Sequence, residues 1–261
     1  MHSQELSEGR NQMLKFISVK AVGVSVINSL TSALVLWKVQ RSDTQMKVIR
    51  LGTAYGGWYI PEFAYFEKSY TKLVISAGIG MDVSFDRLLL DAGFRVIALD
   101  PLKSCVTFAR DQLGEFSNFE AVPKGLWSSS GVVKFYAPKH SHHDSWSAVN
   151  VQNTNEDQTM TFEVISLEDL YLSHQLSGYE FTMLKMDIEG ADIELIKSLN
   201  LTDIAPDWLG IELDYLSLIP VRSIRHRMRA IRSTRKQLHA LSKKGYRYVL
   251  SDNFNFYWAK D

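Results

Sequence analysis

From residue 70 onward, short apolar runs alternate with amphipathic ones, and that alternation restricts the architecture more than any other feature of the chain. "KLVISAG" (72–78), "FRVIALD" (94–100), "FTMLKMDI" (181–188) and "WLGIEL" (208–213) read as strands buried on both faces. "DVSFDRLLLDAG" (82–93) reads as a helix ended by Gly93, and "KSCVTFARDQLGEF" (103–116) and "ADIELIKSL" (191–199) as further helices. "FEAVPKGLW" (119–127) is expected as one strand, with β segments at "VVKFYAP" (132–138) and "MTFEVI" (160–165). Ser166 and Asp169 form a capping box for the helix that follows. Near the end, "YRYVL" and "FNFYW" flank the turn "SDN" and pair as a hairpin. Strands separated by helices in this way predict an α/β fold, with a mostly parallel sheet covered on both faces and an antiparallel C-terminal hairpin. No fixed-period repeat or Pro/Gly-rich linker divides the chain, so one domain over 48–261 follows a helical extension over 1–47.

Charge and cysteine content exclude several classes. Lys plus Arg and Asp plus Glu number 29 each, so no global basic charge argues for nucleic acid. Cys105 is the only cysteine, which rules out an intrachain disulfide or a cysteine-rich zinc site and fits a reducing cytoplasm. The balance is uneven along the chain. Residues 222–247 carry ten basic residues and no acidic one. Ile224, Met228, Ile231, Leu238 and Leu241 within that stretch recur at helical spacing, predicting an amphipathic helix with a cationic outer face. That face is either simply solvated or an attractor for an anionic partner. Residues 21–37, "AVGVSVINSLTSALVLW", are uncharged and lie between Lys20 and Lys38. Seventeen residues, six of them Gly, Ser, Asn or Thr, make a poor transmembrane span. A packed helix is expected there, with peripheral membrane contact as the alternative.

The first βα turn holds Gly78 and Gly80. A dinucleotide fingerprint needs a third glycine at position 83, where Val83 stands. A phosphate-binding loop needs a lysine, and "GMDVSFD" has none. Asp100, twenty-two residues after Gly78, closes the second strand and is the type of acceptor that takes ribose hydroxyls. A bare turn and a ribose acid without phosphate ligands suggest a nucleoside such as S-adenosylmethionine.

Together with that turn, "LKMDIEGADIELIKSL" (184–199) and "AYGGWYIPE" (54–62) resemble the FkbM-type methyltransferase family. The resemblance runs from about residue 48 to the closing hairpin. It implies a Rossmann-like class I methyltransferase fold, S-adenosylmethionine as methyl donor, and a hydroxyl acceptor on a sugar, glycan or small natural product. The cofactor-binding candidates are Ser76, Gly78, Gly80, Asp82, Asp100, Pro101 and Asp187. Ser76 stands where many class I enzymes carry an acid, so Asp82 either compensates by turning to the ligand or only caps its helix.

A hydroxyl acceptor is a weak nucleophile while protonated, so a general base is expected. Asp187, Glu189, Glu212 and His143 are the candidates, with Lys185 as a neutralising partner among the strand-end acids. The alternative for Glu189 is that it simply favours a helix N-terminus electrostatically. His142, His143 and Asp144 fall in a loop read as a lid or as polar surface, and no metal is expected. Trp58 is read either as a wall of the cleft or as core. Two other functions fit the same residues: a non-catalytic nucleoside-binding scaffold, and an NAD-dependent oxidoreductase, which Val83 disfavours.

Overall fold

The computed structural model describes residues 30–42, 46–137, 159–188, 191–199, 204–213, 224–252 and 254–261. A helical segment at 30–35 (α1) comes first. Then follow β1 (Val48–Leu51), β2 (Trp58–Pro61) and α2 (Glu62–Phe66). The first alternating block is β3 (Lys72–Ala77), α3 (Ser84–Asp91), β4 (Arg95–Leu99), α4 (Lys103–Leu113) and β5 (Phe119–Val122). After it come β6 (Gly125–Trp127), β7 (Gly131–Tyr136), β8 (Thr159–Ser166) and α5 (Leu167–Ser173). The chain closes with β9 (Phe181–Met186), α6 (Asp192–Leu199), β10 (Trp208–Glu212), α7 (Ile224–Lys243), β11 (Tyr246–Asp252) and β12 (Asn255–Lys260).

Seven strands form the main sheet in the order β11-β12-β10-β9-β3-β4-β5. β3, β4, β5, β9 and β10 are parallel. β12 runs against β10 and pairs with β11 as the expected hairpin. The architecture is the Rossmann-like α/β fold. All six positions of β3 are buried because both of its faces are covered. Leu73, Ile75 and Ala77 pack with residues of α5, α6 and α7, while Val74 packs with α3, α4 and Trp58. This is the period-two alternation of a central strand.

Three local readings change. The run 119–127 is not one strand, for β5 belongs to the main sheet and β6 to a three-stranded sheet of order β6-β8-β7. Pro123 has no N–H to continue a ladder, and the chain changes sheets there. The capping box is half formed. Ser166 Oγ accepts the Asp169 N–H at 3.0 Å, but the Ser166 N–H donates to Ser130 Oγ instead of to Asp169. In α7, Met228 is exposed while Arg227 is buried and donates to Thr31 Oγ1 at 3.0 Å. The described part of the extension packs onto the fold, as expected. Val35 and Val39 enter the core on the α7 side, and Ser42 N–H donates to the Tyr248 carbonyl at 2.9 Å.

Candidate active site

Strand order reverses between β3 and β9, and ligands of such sheets sit outside the carboxyl ends at that point. Register places four of the candidates in one row there. Leu99 pairs with Ala77, Ala77 with Met186, and Met186 with Ile211. The next residues along are Asp100, Gly78, Asp187 and Glu212.

The two glycines are required for different reasons. Gly78 has φ +83°, and a Cβ there would lie 1.7 Å from the Asp187 carbonyl oxygen. Its N–H donates to the Leu99 carbonyl at 2.9 Å, so the turn is wedged between β4 and β9. Gly80 has φ +59°, yet among the described residues a Cβ there would meet nothing within 4 Å. Gly78 is bare because protein fills the space, whereas Gly80 borders a space that the described residues leave open.

Asp100 moulds this turn. Its Oδ2 accepts the N–H groups of Ile79 at 3.1 Å and Gly80 at 3.2 Å, and its Oδ1 accepts that of Leu102 at 2.9 Å. A carboxylate offers about four acceptor positions, so roughly one remains, on Oδ1. Burial raises its pKa, against the lowering effect of those three bonds. Pro101 follows directly and is half-buried.

A buried polar layer underlies the turn. Ser76 and Lys185 are register partners and project to the same face of the sheet, towards α3. The Lys185 ammonium donates to the Gly78 carbonyl at 2.6 Å, lies 3.5 Å from Asp187 Oδ2, and sits 5.1 Å from the centre of the Trp58 ring. Trp58 is thus a core residue whose ring supports the lysine. Asp86, in the first turn of α3, is 2% exposed. Burial drives its pKa up, and Lys185 and Ser76 oppose that only in part. Ser76 Oγ and Asp86 Oδ1 each lack a hydrogen bond of good geometry among the described residues, although the Ser76 hydroxyl lies near enough to Asp86 to favour its charged form. Sequence reading missed Asp86. Its position in an amphipathic helix was legible, but not that it faces inward.

Asp82 is committed to the protein. Its Oδ1 accepts the Ser84 N–H at 2.9 Å, and its Oδ2 accepts the Thr53 hydroxyl from the β1–β2 loop. Burial alone would raise its pKa, but these bonds outweigh it and hold the carboxyl below its ordinary range. The helix-opening alternative is therefore the one in the geometry, with the loop over it as an addition: Thr53 N–H donates back to Ser84 Oγ at 2.9 Å.

Glu189, His143, His142 and Asp144 lie outside the described residues. Among the described residues, no three of His, Cys, Asp and Glu gather as metal ligands. One groove of about 430 Å³ lies at the amino ends of β9 and β10, away from the row, and one of about 640 Å³ lies between β5 and α5 beside Val122, whose carbonyl accepts the Asp100 N–H at 3.3 Å.

The model of the methyltransferase FkbM domain matches residues 75–248, well over half of the chain. The chain belongs to the FkbM methyltransferase family. Nine solved chains also resemble this FkbM methyltransferase. One is titled METTL16 MTase domain, with 14% identity and a TM-score of 0.39 over 90% of this chain and 78% of that one. No curated protein matches. The family's matched region opens within β3 and closes within β11, so it contains the whole row from Asp100 to Glu212.

Proposed function

We propose that this FkbM methyltransferase is an S-adenosylmethionine-dependent O-methyltransferase acting on a hydroxyl of a sugar, a glycan or a small natural product. The observation that carries the reading is the contrast between Gly78 and Gly80. One glycine locks the turn to Asp187, and the other, whose N–H is held by the buried Asp100, faces space that the described residues leave open. That is a cradle suited to a nucleoside without phosphates, since no lysine or arginine of the turn faces it.

Ser76, Gly78, Gly80, Asp100 and Pro101 would hold the donor, whose sulfonium supplies an electrophilic methyl group. Asp100 spends three acceptor positions on the turn, so it takes one ribose hydroxyl at most while keeping the backbone in shape. Asp187 is half-exposed, adjoins the turn, and is steadied by Lys185. It is placed to accept the proton of an approaching hydroxyl, and Glu212 beside it in register orients the same group. Holding acceptor oxygen, methyl and sulfur in line is chiefly a matter of orientation, which the rigid strand ends supply.

Titration calorimetry with S-adenosylmethionine and S-adenosylhomocysteine tests the donor, followed by mass spectrometry of an acceptor panel for a single added methyl group. Binding of the nucleoside with methylation of an alcohol is expected. Binding without turnover on any acceptor would favour the scaffold reading, and binding of NAD in place of either nucleoside would overturn the donor.

A further inference from the structure

We infer that the outer face shared by α1 and α7 docks onto an anionic membrane surface. At 100° per residue, Arg225, Arg229, Arg232 and Lys236 form one stripe of α7, opposite the buried Ala230, Ile231, Leu238 and Leu241. All four are exposed, and among the described residues none has a carboxylate within 4.0 Å.

The neighbouring α1 presents apolar groups beside that stripe. Thr31 and Val35 turn inward, and α1 runs alongside α7 in the same direction, with Thr31 bonded to Arg227 and the Trp37 carbonyl 3.2 Å from His239 Nε2. The Arg235 guanidinium lies 5.9 Å from the Trp37 ring centre. Arg235 and His239 occupy the flank of α7 between its buried and basic stripes, so α1 borders the basic stripe. On the outward side of α1, Leu30 is 59%, Leu34 37% and Trp37 55% exposed, at spacings of four and three.

An apolar stripe containing an indole, laid beside a row of unpaired cations, is the composition of a helix pair lying in a lipid interface. Leucines enter the headgroup–acyl boundary, the tryptophan sits at headgroup level, and the arginines meet anionic headgroups. A soluble polyanion would satisfy the cations and leave the three apolar side chains in water. A second copy would bring two like-charged stripes together. Among the described residues no helix is long and apolar enough to cross a membrane, so the contact lies on the surface.

Sedimentation of the full chain with phosphatidylcholine vesicles, with and without about one-third phosphatidylserine, tests this. Binding to the anionic vesicles alone is expected, weakening as salt rises. Arg229→Gln with Arg232→Gln lowers the partition about tenfold or more. Leu34→Ser with Trp37→Ser lowers it about tenfold. Both pairs are on the surface, and unchanged melting curves verify that they fold. The inference is overturned if anionic vesicles are not bound, if either double variant binds as the parent does, or if heparin or RNA is bound and vesicles are ignored.

Discussion

The two ends of the central sheet treat their polar groups differently. At the amino ends the groups satisfy one another. Thr182 donates its N–H and its hydroxyl to Asp207, and Asp207 N–H returns a bond to Thr182 Oγ1. Thr71 and Glu180 form a similar reciprocal pair. Even Lys72, 3% exposed, donates to the carbonyls of Glu67 and Ala92 above the Phe94 ring. At the carboxyl ends, Ser76 Oγ, Asp86 Oδ1 and Asn255 Oδ1 are buried without a hydrogen bond of good geometry among the described residues. Burying a polar group in that way costs about 1–3 kcal/mol. A groove by itself is therefore no guide to function here: the amino-end groove of about 430 Å³ borders groups already paired, while the carboxyl ends keep unused bonding capacity.

The sharpest break in this contrast lies within one turn. Gly78→Ala drives a methyl group into the Asp187 carbonyl at a positive φ, and it is expected to cost about 4 kcal/mol or more of stability. Gly80→Ala meets no atom of the described residues, so its cost is the left-handed backbone penalty of about 1–2 kcal/mol. Yet that methyl group enters the open space, and donor affinity should fall about tenfold or more. Denaturant melts and calorimetry on the two variants separate the effects. If Gly80→Ala bound the donor as tightly as the parent, the space above that residue would not be the cradle.

How far the sequence disclosed this depends on the kind of signal. The strands, the C-terminal hairpin and the glycine turn follow from apolar runs and glycine spacing, which are local and survive in one dimension. The row of Asp100, Gly78, Asp187 and Glu212 was legible because parallel strands deliver their carboxyl ends to a common edge. Asp82 was ambiguous, for only tertiary structure brings Thr53 from the β1–β2 loop to its carboxylate. Asp86 was invisible because an aspartate in the first turn of a helix is commonly exposed, and no spacing announces that Lys185 lies beneath it. The split at Pro123 could have been read from the missing N–H alone.

Asp187→Asn tests the exposed side of the same end. The substitution keeps the shape and the backbone contact to Gly78 but removes the proton acceptor. Turnover should fall roughly a hundredfold or more, with donor affinity kept within about threefold of the parent. Single-turnover rates and calorimetry together give the answer. Undiminished turnover would move the base to another group.

The smallest effects compare the two ends directly. Asp86 has its pKa raised in the folded protein, chiefly by burial. Its carboxyl therefore keeps its proton to a higher pH in the folded chain than in the unfolded one. The stability tied to this group is full below the unfolded pKa and is lost as pH rises through the folded one. Asp86→Asn, which mimics the protonated acid, should raise the melting temperature at neutral pH and flatten its decline between acid and neutral pH. Because the carboxylate adjoins Lys185 and Ser76 beneath the turn, donor binding should weaken in the same variant. Thr182→Val at the opposite end predicts the reverse pattern. It removes a mutually satisfied pair, so stability should drop by about 1 kcal/mol while donor affinity stays unchanged. A carboxyl kept where an amide would make the fold more stable is held for a ligand, whereas a pair whose loss weakens only the fold is structural. Should Asp86→Asn behave like Thr182→Val, losing stability and keeping the donor, the unsatisfied layer beneath the glycine turn would belong to folding and not to the site.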